Sequence, residues 1–256
     1  MQRYMKLPLT ILLLLMAILP LKASTEPDTN ENNVVTTTET VVIADFFMAA
    51  DAFLIKYTSN GLVNYTAIKT EALAIKNLYA TIGIIDLTGI DKNTKTAFYL
   101  NAYNLIVIYS VVKNMPIAKP TDVKGFFDVT KHNVAGSNLT LNELENNKLR
   151  PDPRVHFALV CAAKGCPKIA SEAFMPEKVE LQLTSLTKKA LNDNAFIKVD
   201  NASKQVQISK IFDWYGTDFI KHAGSALAYI NTIRNEKIPD TYKIEFYEYD
   251  WNLNGK

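Results

Sequence analysis

Three short segments hold residues whose types and spacing could do chemistry. In the first, Asn101 and Asn104 interrupt an otherwise apolar run from Ala97 to Ile108. Three positions apart, they share one face of a helix, and a buried amide without partners costs roughly 1–3 kcal/mol. Both must therefore be bonded. They either tie the helix to a neighbouring loop or strand, or form a polar floor that orients a catalytic group or a ligand. Tyr103, beside Asn104, is a further substrate-binding candidate.

The second segment runs from Arg154 to Pro167 and contains His156, Cys161 and Cys166, the last two being the only cysteines of the chain. Read as a buried strand over Arg154–Val160, it places Arg154 and His156 on one side and Val155, Phe157 and Leu159 on the other. His156 is then the candidate general base, and Arg154 a group to bind a substrate carboxylate. An extended chain separates His156 from Cys161 by about 16 Å, whereas a base and its thiol need heavy atoms within about 3 Å. A bend is required for that pair. The loop Ala162–Gly165 can reverse the chain and return Cys166 to the strand end, and the same reversal brings Cys161 and Cys166 within disulfide reach. Three states compete: a disulfide, a nucleophilic thiol at Cys166 or Cys161 with His156 as base and an Asn or Asp as orienter, and a zinc site on both cysteines and His156. The last lacks the compact paired spacing of zinc motifs, so no metal and no cofactor is assigned.

The third segment, Ser209–Phe219, is mostly packing face. Asp213 could complete a His–carboxylate pair with His156, while Asp218 is expected to pair with His222, four residues on. His132 reads as a surface residue of a hairpin.

The elements that must position these groups alternate between helix and strand. Helical spacing covers Ile43–Thr58, Thr66–Thr81, Asp91–Asn114 and a segment starting at Pro176. The helix from Asp91 is apolar almost all round, the mark of a central buried helix. Thr140 is placed to cap a short helix ending at Arg150, and two more helices follow near Ile211–Lys221 and Ser225–Arg234. Hairpins are expected over Phe126–Leu141, turning at Ala135-Gly136, and over Phe196–Ile208, turning at Asp200-Asn201, with a closing strand at Ile244–Trp251. The order does not repeat as βαβ. It predicts a single α+β domain over residues 41–256, with helices packed on a largely antiparallel sheet.

Charge locates the protein rather than its partners. The 256 residues carry 28 basic and 26 acidic side chains. Arg3, Lys6 and Lys22 supply three of the basic ones within residues 1–23, which hold no acid; without them 25 basic face 26 acidic groups, about −1. That leaves no positive excess to grip a phosphate backbone, which argues against nucleic acid as a partner. Residues 1–23 read as a secretory signal peptide, with Arg3 and Lys6 before the apolar run Leu7–Leu19 and a cleavage site after Ala23. That run is shorter than the ~20 residues of a spanning helix, and no cysteine stands near it to carry a lipid. The expected product is periplasmic or secreted, with no stable membrane anchor and a polar lead-in over 24–40. Export makes the disulfide the default state of Cys161 and Cys166.

Taken together, AFYLNAYNLIVI (Ala97–Ile108), RVHFALVCAAKGCP (Arg154–Pro167), ISKIFDWYGTDF (Ile208–Phe219) and YDWNLN (Tyr249–Asn254) resemble the family called domain of unknown function 547. LVNYTAI (Leu62–Ile68) fits as well, so the resemblance spans Phe46 to Asn254. The order of a helix followed by a His strand is similar to thiol enzymes of the papain and transglutaminase type. There a cysteine would start the helix, where Asn101 and Ala102 stand here. Two functions are open on the sequence. One is an exported hydrolase or acyl-transfer enzyme acting on an amide or ester, with a cleft between the Asn101 helix, the His156 strand and the Cys turn. The other is a non-catalytic binding or scaffold domain that meets a small molecule or a cell-envelope component, its turn pinned by a Cys161–Cys166 bond.

Overall fold

Apolar side chains at helical spacing build the first half of the molecule. In the computed structural model, which describes residues 35–256, α1 (Val35–Tyr57) buries Phe46, Phe47, Ala50, Phe53, Leu54 and Tyr57 on one stripe. It begins earlier than the sequence spacing predicts. The predicted signal segment 1–23 and the lead-in as far as residue 34 lie outside the described residues. At Asn60-Gly61, with φ 54° and 79°, the chain turns through a minimal hairpin, β1 (Thr58–Ser59) on β2 (Leu62–Val63), as a two-residue loop of this hand requires. The predicted helix over Thr66–Thr81 is two helices, α2 (Tyr65–Thr70), capped by Asn64, and α3 (Leu73–Ile84).

The central helix is α4 (Lys92–Asn114). The Asp91 side chain caps it, accepting from the Thr94 amide at 3.0 Å, and Pro116 follows its end. Phe98, Leu100, Leu105, Ile106 and Val111 are fully buried, and α4 packs against α1, α2 and α3. The hairpin β3 (His132–Val134) and β4 (Ser137–Leu139) turns at Ala135-Gly136 as predicted. Thr140 then caps α5 (Leu141–Leu144) in a reciprocal bond with Glu143, and the chain widens into a π turn over Glu145–Leu149.

The predicted strand over Arg154–Val160 is instead a 3₁₀ helix, Pro153–Phe157. The reason is local. The Asp152 side chain accepts from the Arg154 amide at 2.9 Å and Pro153 holds the first helical position, a start signal that outweighs the apolar run behind it. With three residues per turn, Arg154 and His156 do not share a face.

The second half gathers round a smaller aromatic core of Phe157, Phe196, Phe212, Phe219 and Tyr229. It comprises α6 (Val179–Asn192), the hairpin β5 (Lys198–Asp200) and β6 (Gln205–Ile208), then α7 (Ile211–Trp214), α8 (Gly216–Ala223), α9 (Ala226–Ile233) and β7 (Lys243–Phe246). The fold is α+β, with its strands divided among three small sheets; pairing is antiparallel except where β7 runs parallel to β6. The tail after β7 zips along the cysteine loop, with Lys164 and Gly165 amides donating to the Asn252 and Asp250 carbonyls at 2.8 Å each. Gly165 is required there: a Cβ would stand 3.0 Å from the Asp250 nitrogen and the Tyr249 ring. Among the described residues no helix is long and apolar enough to cross a membrane.

Candidate functional site

Where α4, the π turn, the 3₁₀ helix, the cysteine loop, α7 and the tail meet, they border a partly open cavity of about 150 Å³. Six aromatic side chains line it: Tyr103, Phe127, Trp214, Tyr215, Tyr249 and Trp251. Asn142, Glu145, His156 and both cysteines add its polar side.

His156 is the centre of a four-group chain. Its Nε2 lies 2.9 Å from Asp218 Oδ2. Arg150 grips the same carboxylate at two points, Nε to Oδ2 at 2.6 Å and Nη2 to Oδ1 at 2.8 Å. On the other side, His156 Nδ1 faces Glu145 Oε1 at 3.3 Å and has no hydrogen-bond partner. The Tyr215 hydroxyl donates to Glu145 Oε2 at 3.2 Å, and its ring stacks on the imidazole with centroids 3.9 Å apart. Burial pushes the Asp218 carboxyl up, but the hydrogen bonds from Arg150 and His156 outweigh it and hold Asp218 below the usual range. Burial first, then the neighbouring acid, raises the phenols of Tyr103 and Tyr215, so both keep their protons. Asp218 is thus gripped directly by a guanidinium, while Glu145 meets the Arg150 charge only through space and has the imidazole beside it.

The cysteine sulfurs lie within bonding distance of each other, with Cα atoms 6.4 Å apart. The loop reversal expected from Ala162–Gly165 is what brings them together. The Tyr249 hydroxyl sits 3.1 Å from Cys161 Sγ and 3.0 Å from Cys166 Sγ. In this arrangement neither sulfur is a thiolate. No group of three or more His, Cys, Asp or Glu among the described residues is placed to hold a metal ion.

Several expected roles change. Asn101 does not line the cavity: its amide donates to the Phe174 carbonyl at 2.8 Å and accepts from the Phe174 amide at 2.9 Å. Asn104 does the same one helical turn on, donating to the Ala158 carbonyl at 3.0 Å and accepting from the Val160 amide at 2.9 Å. Both are backbone clamps, because each amide is consumed by the backbone of an irregular segment bonded to α4. The Asn104 clamp fixes the chain between His156 and Cys161. Arg154 binds Asp152 and Glu180, at 2.6 and 2.8 Å, and lies outside the cavity lining, since the 3₁₀ helix turns it toward α6. Tyr103 is buried and lines the cavity.

Asp213 is half exposed and pairs with Lys210 at 3.1 Å, not with His156. Asp218 takes that place instead of pairing with His222. The helix predicted over Ile211–Lys221 breaks at Tyr215 into α7 and α8, which turns Asp218 inward and leaves Asp213 facing solvent. His132 is buried, not on the surface, with Nδ1 3.0 Å from the Tyr79 hydroxyl.

Glu145 and Arg150 are the residues that spacing missed. A 3.6-residue period does not bring positions five apart together, whereas the π turn lets the Arg150 amide donate to the Glu145 carbonyl. For Asp218 a signal existed: it sits between Tyr215 and Phe219 on the apolar side of its helix.

Residues 87–190 match the family model described as protein of unknown function, DUF547. The matched span holds α4, Glu145, Arg150, His156 and both cysteines, and is narrower than the Phe46–Asn254 span over which the motifs resemble that family. Neither a curated protein nor a solved structure matches the chain.

Proposed function

We propose, from the premise that residues 87–190 of this chain belong to the DUF547 family, that it is an exported hydrolase or acyl-transfer enzyme acting on a small amide or ester in the 150 Å³ cavity. The observation that carries this reading is the unpartnered Nδ1 of His156, held beside Glu145 while Asp218 occupies the other ring nitrogen. With the Nε2 proton donated to Asp218, Nδ1 is the ring's acceptor, the arrangement in which a carboxylate orients an imidazole. Water is the nucleophile when the cysteines are joined. As its oxygen bonds to the substrate carbonyl carbon, its proton passes to the His156–Glu145 pair. The same proton then goes to the leaving amine or alkoxide as the C–N or C–O bond breaks. The leader-like residues 1–23 and the paired cysteines support export.

The disulfide arrangement favours a second reading, a non-catalytic cell-envelope domain whose cavity only binds. A panel of activated small esters and amides separates the two. Wild-type protein should turn over at least one member without reductant. Glu145→Gln and His156→Asn should each lower kcat by roughly 10²-fold or more while keeping the far-ultraviolet circular dichroism of the wild type. Absence of wild-type turnover across the panel, or full activity in both variants, would leave the binding reading standing.

A further inference from the structure

The chemistry of the cavity walls selects a charge. We infer that its ligand carries a small terminal ammonium group, a substrate-class statement that rests on the same cavity as the function proposed above. Trp214, Tyr249 and Trp251 form a three-ring cluster with centroids 4.9, 4.9 and 5.8 Å apart, and Phe127 flanks Trp251 at 6.4 Å. The faces of such rings attract cations, most strongly when the rings are indoles and the ion is poorly hydrated. Glu145 is the one carboxylate on the lining, and no lysine or arginine joins it among the described residues. Arg150 lies nearby, over the Tyr215 ring at 5.5 Å, but its charge is met by Asp218. An ammonium would complete the account, with Asp218 matched by Arg150 and Glu145 by the ligand. A negatively charged ligand would face Glu145 with no lysine or arginine on the lining to offset it. The volume is well under that of a drug-sized site and suits one head group.

Tryptophan fluorescence reads this cavity directly, because the chain has two tryptophans and both line it. The full chain is titrated with choline, with n-butylammonium, and with 3,3-dimethyl-1-butanol, which has the shape of choline without its charge. Choline or n-butylammonium should change the emission saturably, at an affinity at least about tenfold above that of the neutral alcohol. Which ammonium binds more tightly tells a quaternary from a primary head group. Glu145→Gln should remove most of that preference and leave the alcohol unaffected. If that variant does not fold, Trp214→Leu, at a half-exposed position, should weaken the ammonium ligand, read on the emission of Trp251. Equal binding of the alcohol, or no saturable response to either ammonium, overturns the inference. Ammonium binding without turnover would sink the hydrolase and keep the inference. Turnover of acetylcholine no faster than of 3,3-dimethylbutyl acetate, with no charge preference in binding, would do the reverse.

Discussion

At the scale of single residues, the molecule contrasts two buried histidines. His156 stands between two carboxylates, Asp218 on Nε2 and Glu145 facing Nδ1. His132 has a phenol on one nitrogen and no partner on Nε2, and burial, with Lys113 adding repulsion, pushes it down to about 4. A histidine neutral in the folded state and ordinary when unfolded gives proton binding to the unfolded chain first. Its effect is absent above the unfolded value of about 6.5. Stability is then lost as pH falls from there to the folded value, by up to about 3 kcal/mol. Urea unfolding at pH 7 and pH 4.5 should register that loss. His132→Gln should reduce the difference between the two; an unchanged difference would assign the acid sensitivity elsewhere.

At the scale of elements, α4 works as a frame through two asparagines that are alike in sequence and differ in consequence. Each replaces a loop's missing ladder with a two-point amide clamp, on Phe174 for Asn101 and on Ala158 and Val160 for Asn104. Alanine at either position strands a backbone amide and a carbonyl in the core, at roughly 1–3 kcal/mol each. Both variants should therefore lose on the order of 2–4 kcal/mol in denaturant unfolding. The Asn104 clamp leads directly from His156 to Cys161, so Asn104→Ala should also shift the tryptophan emission of the cavity. Asn101→Ala should leave it unchanged. A shift in both would mean that the cavity senses the whole helix rather than one clamp.

For the whole molecule, the polar chain Arg150–Asp218–His156–Glu145 draws on segments that contribute to both cores, and the tail is bonded along the cysteine loop. The Cys161–Cys166 bond closes only a short loop, so reduction should lower stability by about 2 kcal/mol without unfolding the chain. Intact mass of the full chain expressed in a host with a secretory pathway tests the proposed pairing and export together. Alkylation should label no cysteine before reduction and two after it, and the chain should begin at Ser24. A labelled thiol without reductant would restore the thiol enzyme, and a mass retaining residues 1–23 would remove the signal peptide.

The sequence by itself determined what is encoded within a few residues: the cap at Thr140, the starts of helices at Asp91 and Ser225, the turn at Ala135-Gly136, the apolar run of α4, and the chain reversal that joins the cysteines. It also marked His156 as chemical, but paired it with Arg154 and Asp213, because an extended reading and an unbroken helix put those side chains near it. Only the tertiary structure decided that Asp218, 62 residues away, and Glu145 hold the ring instead. Local propensity fixes which turn a residue belongs to. Which charges share a buried site depends on how turns that break the regular period, at Glu145 and Tyr215, aim their side chains once distant segments pack.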